Sequence, residues 1–340
     1  MLTWESVNLF TGKTCTGLDI GSQSIKLVQV RRRGRRVLLQ TLGQIATPSG
    51  TVENGFINDP DLVGRELGKL VNRLKLRGAK VISALGGKQV YTRLLTLPAM
   101  NLDDMRRAAF YQAASFLPIS IDDVTVDIFP VRYLDNNGSR KCQVFFTAAR
   151  KVQVENLVHT CQAAGLKLER LEIEPLALHT LYYGLLKDGQ AVGVLNIGSN
   201  HSYLAVYQNK TLVFVRLMSF GCTAFYQHMR ESGTDCRKLA DLSCREAGIE
   251  RAMENLVSEL NQAMDYFRLQ SRNTALSFII LCGGGARVGD MEDFLSQETG
   301  IPVKVGDFPS QVQLPDSLAC DKKNDLLYEY PVALGLAMRG

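Results

Sequence analysis

Apolar residues recur along this 340-residue chain with two different periods, and the switches between them mark its elements. The apolar run ahead of Gly21 predicts a strand. The runs Ile25 to Val30 and Val37 to Gln40 predict a hairpin with Gly34 in its bend. Asp61 to Leu76 places apolar residues at 62, 63, 67, 70, 71 and 74, the stripe of one helix face, and Lys75, Arg77 and Gly78 end it. Ala79 to Leu85 then predicts a strand that completes a first α/β layer.

From Tyr91 to Gly165 the pattern becomes a self-contained unit. Its order is strand (Tyr91 to Leu97), helix (Leu102 to Phe116), strand (Thr125 to Tyr133), strand (Lys141 to Ala148) and helix (Val152 to Ala164). Pro98 and Pro118 punctuate it, and Asp135-Asn136-Asn137-Gly138 predicts a tight hairpin turn. Period-2 strand character returns from Leu166 to Ile173, and Glu174-Pro175 opens a helix from Leu176 to Leu186. The second half begins at Ala191. Its long helix, Ile249 to about Arg272, carries apolar residues at 249, 253, 256, 257, 260, 264 and 267 and feeds a strand from Leu276 to Leu281. Met253 and Met264 on that stripe are core positions.

Three turns of small residues follow strand-like runs: Gly17-Leu18-Asp19-Ile20-Gly21-Ser22-Gln23-Ser24, Val194-Leu195-Asn196-Ile197-Gly198-Ser199-Asn200, and Leu281-Cys282-Gly283-Gly284-Gly285-Ala286. Small residues let backbone N–H groups approach an anion closely, and Asp19 adds a carboxylate able to hold magnesium through water. Asp19-Ile20-Gly21-Ser22 and Asn196-Ile197-Gly198-Ser199 form an internal repeat of strand, glycine turn and strand. Nucleotide is the simplest ligand needing both features. Bland readings stand beside these: Asp19 as a turn cap, Asn196 as a turn residue, Glu174 as a helix-start carboxylate, and the triple glycine as close packing.

A composition of 46% hydrophobic and 21% charged residues excludes disordered and fibrous classes, and the length suggests two domains. No apolar stretch approaches a membrane span of about 20 residues, and Met1 to Ser6 lacks the basic start of a secretion signal. A cytoplasmic protein is expected. Cys15, Cys142, Cys161, Cys222, Cys236, Cys244, Cys282 and Cys320 are scattered without a Cys-x-x-Cys pair, which points to reduced thiols. His159, His179, His201 and His228 show no metal-ligand spacing. The net charge of +5 is concentrated at Arg31-Arg32-Arg33-Gly34-Arg35-Arg36, either a solvated hairpin tip or an attraction to an anionic membrane surface. Nucleic acid is a weaker choice, because no aromatic residues interleave with the arginines.

Two related α/β halves around a nucleotide resemble the actin/Hsp70/hexokinase superfamily. More narrowly, the chain resembles the PilM family of type IV pilus assembly proteins, which is actin-like and FtsA-related. The residues that carry the likeness are Gly17 to Val28, Leu97-Pro98, Phe116-Leu117-Pro118, Ile173-Glu174-Pro175-Leu176-Ala177-Leu178, Arg216 to Gly221, Gly283-Gly284-Gly285-Ala286-Arg287 and Ala333-Leu334-Gly335-Leu336-Ala337. The resemblance implies an actin-like two-domain ATPase fold with an inserted FtsA-type α+β 1C subdomain. It divides the chain into 1–90 (first domain), 91–165 (1C-like unit), 166–190 (return and crossover helix) and 191–340 (second domain).

It further implies ATP and Mg2+ as ligands. Asp19 would order the metal, and Gly21, Ser22, Gln23, Ser24 and Lys26 would hold the phosphates, with Asn196, Gly198 and Ser199 opposite. Gly283, Gly284, Gly285 and Arg287 would lie toward the adenosine, and Glu174 matches the carboxylate that positions the hydrolytic water in active relatives. Two departures suggest slow or absent hydrolysis: Asn196 stands where aspartate is usual, and no Ala-Glu-x-x-Lys segment lies between Gly221 and Ile249. The implied role is a scaffold at the inner membrane that binds the N-terminal peptide of a PilN-type membrane protein. Its expected groove residues are Leu97, Met100, Ala109, Ala113 and Phe116. The alternatives are a turnover ATPase, a small-molecule kinase or a filament former.

Overall fold

The computed structural model describes residues 12–136, 139–231, 239–246, 249–271, 273–315 and 323–340. Its first half opens with an antiparallel meander of β1 (Thr14–Ile20), β2 (Ser24–Arg33) and β3 (Arg36–Ala46). The ladder sets Asp19 opposite Lys26 and closes the second hairpin at Arg33 opposite Arg36. A small ribbon, β4 (Val52–Glu53) with β5 (Phe56–Ile57), leads to α1 (Pro60–Arg73). Asp59 caps that helix by accepting from the Leu62 N–H at 2.9 Å, and Val63, Leu67, Leu70 and Val71 are buried on the sheet as their spacing predicts. The next strand, β6 (Lys80–Leu85), runs parallel to β1.

The inserted unit holds β7 (Val90–Pro98), α2 (Leu102–Ala113), β8 (Val124–Asn136) and β9 (Ser139–Arg150), with sheet order β7-β9-β8. Asn136 pairs with Ser139 across the expected turn, whose Asn137 and Gly138 lie outside the described residues. The unit has its own core of Leu95, Leu97, Met105, Ala109, Val144 and Phe146. It is smaller than 91–165, because α3 (Lys151–Ala163) packs on α1 and buries Leu157 and Cys161 in the core of the first sheet. The strand β10 (Lys167–Ile173) then joins that sheet beside β6, and α4 (Glu174–Tyr182) crosses to the second half.

There β11 (Ala191–Ile197), β12 (Ser202–Gln208) and β13 (Thr211–Met218) repeat the antiparallel meander, followed by α5 (Thr223–Glu231) and α6 (Glu250–Gln270). Met253 and Met264 are buried with Leu256, Leu260 and Phe267 against the sheet, as expected of core positions. The strand β14 (Phe278–Cys282), α7 (Met291–Thr299) and β15 (Val303–Val305) complete an order of β13-β12-β11-β14-β15.

The last segments do not stay in the second half, contrary to the 191–340 expectation. The strand β16 (Val312–Gln313) pairs with β3, giving the first sheet the order β10-β6-β1-β2-β3-β16. After α8 (Lys323–Glu329), α9 (Pro331–Ala337) lies with α4 in one apolar layer shared by both sheets. Glycine makes that close packing possible: a Cβ on Gly17 would strike the Ala333 carbonyl oxygen, and one on Gly335 would strike that of Ala177.

Candidate functional site

Each half ends its first strand in a turn built the same way. The Gly21 N–H donates to the Ser24 carbonyl at 3.0 Å, and the Gly198 N–H to the His201 carbonyl at 3.1 Å. The repeat seen in sequence is therefore a repeat in hydrogen bonding. Both turns face a cleft of about 410 Å³ between the halves. The backbone N–H groups of Ser22, Gln23, Ser199 and Asn200 find no acceptor among the described residues, so two sets of free donors border one space.

Thirteen of the fourteen residues expected to hold nucleotide or act on it line this cleft. They are Asp19, Gly21, Ser22, Gln23, Ser24, Lys26, Glu174, Asn196, Gly198, Ser199, Gly283, Gly284 and Arg287. Gly285 is the exception and a correction. A side chain there would collide with Ile197, so this glycine serves strand packing, whereas a Cβ on Gly284 would meet nothing within 4 Å and the backbone there stays open. Gly283 has φ +86°, a left-handed backbone beside Asn196 Oδ1.

Lys26 Nζ lies 3.2 Å from Asp19 Oδ2, with side-chain exposures of 18% and 15%. Behind this pair burial pushes the Glu174 carboxyl up to about 8, the Asp19 carboxylate raises it further, and the Lys26 ammonium opposes both. Glu174 is consequently protonated at neutral pH. Gly86 admits it, since a Cβ there would overlap the carboxyl group. The buried Tyr203 hydroxyl faces Glu174 and Asn196 without a hydrogen bond of normal geometry. Burial, with the Lys88 ammonium, holds the His201 imidazole below its usual range, although Asp19 pulls the other way. His201 and Tyr203 were not singled out from sequence. Their only signal is position, His201 closing the second turn and Tyr203 standing one ladder step beyond Ser202.

Arg287 borders the cleft, but its charge is committed. It donates to Asp325 and Glu329 of α8, each at 2.9 Å, and stacks over Tyr328. Glu329 in turn accepts from Gln44 of β3 at 3.2 Å, so this chain of contacts links the two halves along one rim. The donor set fits a polyphosphate with a divalent cation: free N–H groups, one ammonium and one carboxylate. Asn196 and protonated Glu174 supply no second anion, and no base.

The expected peptide groove is corrected. Leu97, Ala109 and Ala113 are buried in the core of the inserted unit, and Met100 packs against that core. Phe116 does line a cavity of about 380 Å³, which lies between β7, β13 and the Leu85-Gly86-Gly87 turn. Glu174 borders both this cavity and the cleft, and Tyr203 lines the cavity beside it. The strands β7 and β13 are edge strands of their sheets.

Six of the cysteines, Cys15, Cys142, Cys161, Cys222, Cys244 and Cys282, are buried free thiols; Cys236 and Cys320 lie outside the described residues. Burial pushes Cys161, Cys222, Cys244 and Cys282 up to about 12. No group of ligating side chains suited to a metal ion occurs among the described residues. Nor is any described helix long and apolar enough to cross a membrane.

The sequence matches the family model described as type IV pilus assembly protein PilM over residues 17–340. Among solved structures, a chain of a PilM-PilN type IV pilus biogenesis complex is 25% identical, with 96% of this chain and 98% of that chain covered and a TM-score of 0.86. The ethanolamine utilization protein EutJ from Carboxydothermus hydrogenoformans is 15% identical, with 99% and 93% covered and a TM-score of 0.52. The architecture is the actin-like ATPase fold, a nucleotide-binding fold in general.

Proposed function

The chain belongs to the PilM family of type IV pilus assembly proteins, and we propose that it serves there as an ATP-binding scaffold for the N-terminal peptide of a PilN-type membrane protein. The observation that carries this reading is the near-complete mutual coverage, at a TM-score of 0.86, with a chain of the PilM-PilN complex. Asp19 would hold Mg2+ through water, and Lys26 would turn from Asp19 toward the phosphates. The free N–H groups of the Ser22 and Ser199 turns would donate to phosphate oxygens, with Gly284 open toward the nucleoside. Bound magnesium would neutralise phosphate charge and polarise the terminal phosphoryl group. Turnover is slow in this reading, because Glu174 is protonated at neutral pH and Asn196 carries no charge.

The peptide would lie in the cavity bordered by Leu85, Val90, Thr92, Phe116, Val215 and Leu217. Edge strands offer unpaired backbone groups for strand addition, while the apolar walls select side chains. The protein would reach the inner membrane through this partner. Calorimetric titration of the chain with the cognate PilN-type N-terminal peptide, with and without Mg-ATP, tests the reading. Saturable heat supports it, and no heat in either state overturns it.

A further inference from the structure

We propose that the end of the first sheet remote from the cleft is a contact surface for an anionic lipid bilayer. Sheet topology assembles it. The parallel strands β1, β6 and β10 begin at this end, and the antiparallel β2 ends and β3 begins there. Lys13, Arg31, Arg33, Arg35, Arg36 and Lys167 are consequently gathered from separate parts of the chain, and all six are exposed.

None of these six forms an ion pair with another described residue. The carboxylate close to Lys167 is committed elsewhere, Glu169 to Lys80 at 3.2 Å. The chain's net charge is +5, so these six positive charges exceed it and the remainder sums to −1.

A solvated turn does not require this arrangement. Arg33 lies directly opposite Arg36 in the ladder, a like-charge pairing that disfavours the hairpin. Of the arginines from 31 to 36, only Arg32 makes a side-chain hydrogen bond among the described residues, donating to the Met338 carbonyl oxygen. No aromatic residue occurs between Gly12 and Gly55, so the tip lacks the stacking platform of a single-strand binder. A cluster of guanidinium and ammonium groups at a blunt sheet end matches a plane of phosphate headgroups. Asp19 stands at the opposite end of β1, about 20 Å away at the rise of an extended strand, so bilayer contact leaves the cleft open.

Flotation of the full chain with phosphatidylglycerol-containing vesicles, beside phosphatidylcholine vesicles, tests this. Binding to the anionic vesicles alone, weakened at about 0.5 M salt, is expected. Each basic residue near such a surface contributes about fivefold in partitioning, so the joint variant Arg31→Ser, Arg33→Ser, Arg35→Ser, Arg36→Ser should partition more than about a hundredfold less. Its melting temperature should not fall, since the Arg33–Arg36 repulsion is removed, and its peptide binding should be unchanged. The control variant Arg65→Ser, Arg230→Ser, Arg251→Ser, Lys304→Ser removes as much charge elsewhere and should retain binding. Equal binding to neutral vesicles, equal loss in both variants, or no vesicle binding would overturn the proposal. Capture of duplex DNA in place of vesicles would overturn it in favour of a nucleic-acid partner.

Discussion

Tyr203 occupies, in the second half, the ladder position that Lys26 holds in the first. Lys26 faces Asp19 across β1 and β2, and Tyr203 faces Asn196 across β11 and β12. One ion pair of the repeat has thus become an amide beside a phenol. The two walls of the cleft are alike in backbone and unlike in charge, so a metal-bound phosphate chain is expected to lean toward the first half.

Mg-ATP should raise the melting temperature of the wild type. A ligand at about 100 times its dissociation constant adds roughly 2.7 kcal/mol. Asp19→Ala should erase the shift, since it removes the cleft carboxylate that pairs with Lys26. An unchanged shift in that variant, read by thermal melting, would remove Asp19 from the site.

Asn196→Asp restores the repeat's second carboxylate in a position only 9% exposed, with no ammonium opposite it. The free protein should lose more than the about 1–3 kcal/mol that a neutral unsatisfied buried group costs, because the new group is a carboxylate. Magnesium nucleotide should return part of it. Urea melts with and without Mg-ATP, beside phosphate-release assays, would show whether the carboxylate also raises turnover.

Glu174→Gln should stabilise the nucleotide-free protein at pH 7. The folded carboxyl titrates at about 8 against an ordinary 4.5, so stability is fully present below 4.5 and declines as pH rises toward 8. The glutamine variant lacks this decline. The difference in melting temperature between variant and wild type should therefore widen from pH 5 to pH 8 and level off above it. A constant difference would contradict the burial argument.

Ala109→Asp and Thr92→Arg should separate the two groove readings. Ala109 is fully buried in the inserted unit, so an unpaired carboxylate there costs about 3–5 kcal/mol and unfolds that unit. Thr92 borders the cavity between β7 and β13, where arginine should block peptide binding with little change in melting temperature. Circular dichroism alongside peptide titration distinguishes these outcomes.

The local grammar of the chain was legible in its sequence. Strand, glycine turn and strand recur as read, because turn chemistry and apolar alternation are short-range properties. Long-range packing was not. Ala109 and Ala113 have no property that tells a helix's inner face from a groove, and both lie in the core. The partners of Arg287 stand 38 and 42 positions later, on the short helix α8, beyond the reach of any local pattern. Gly284 and Gly285 are identical in sequence, yet one borders open space and the other Ile197. The packing of α3 on α1 has no local signature, because the helix follows the inserted strands without a break.

Val312 pairs with Val37, so the start of the outer strand β3 is covered by residues 275 positions later in the chain. The layer over β1 waits longer still, for Pro331–Ala337. At about 5–20 residues per second of synthesis, that pairing lags its first strand by roughly 14–55 s. Throughout that interval the apolar face later covered by α9 and the open edge of β3 are bare on the nascent chain. The first half to be made is the last to be finished, and a ribosome that stalls before residue 331 leaves a sticky, uncapped sheet for holding chaperones to occupy.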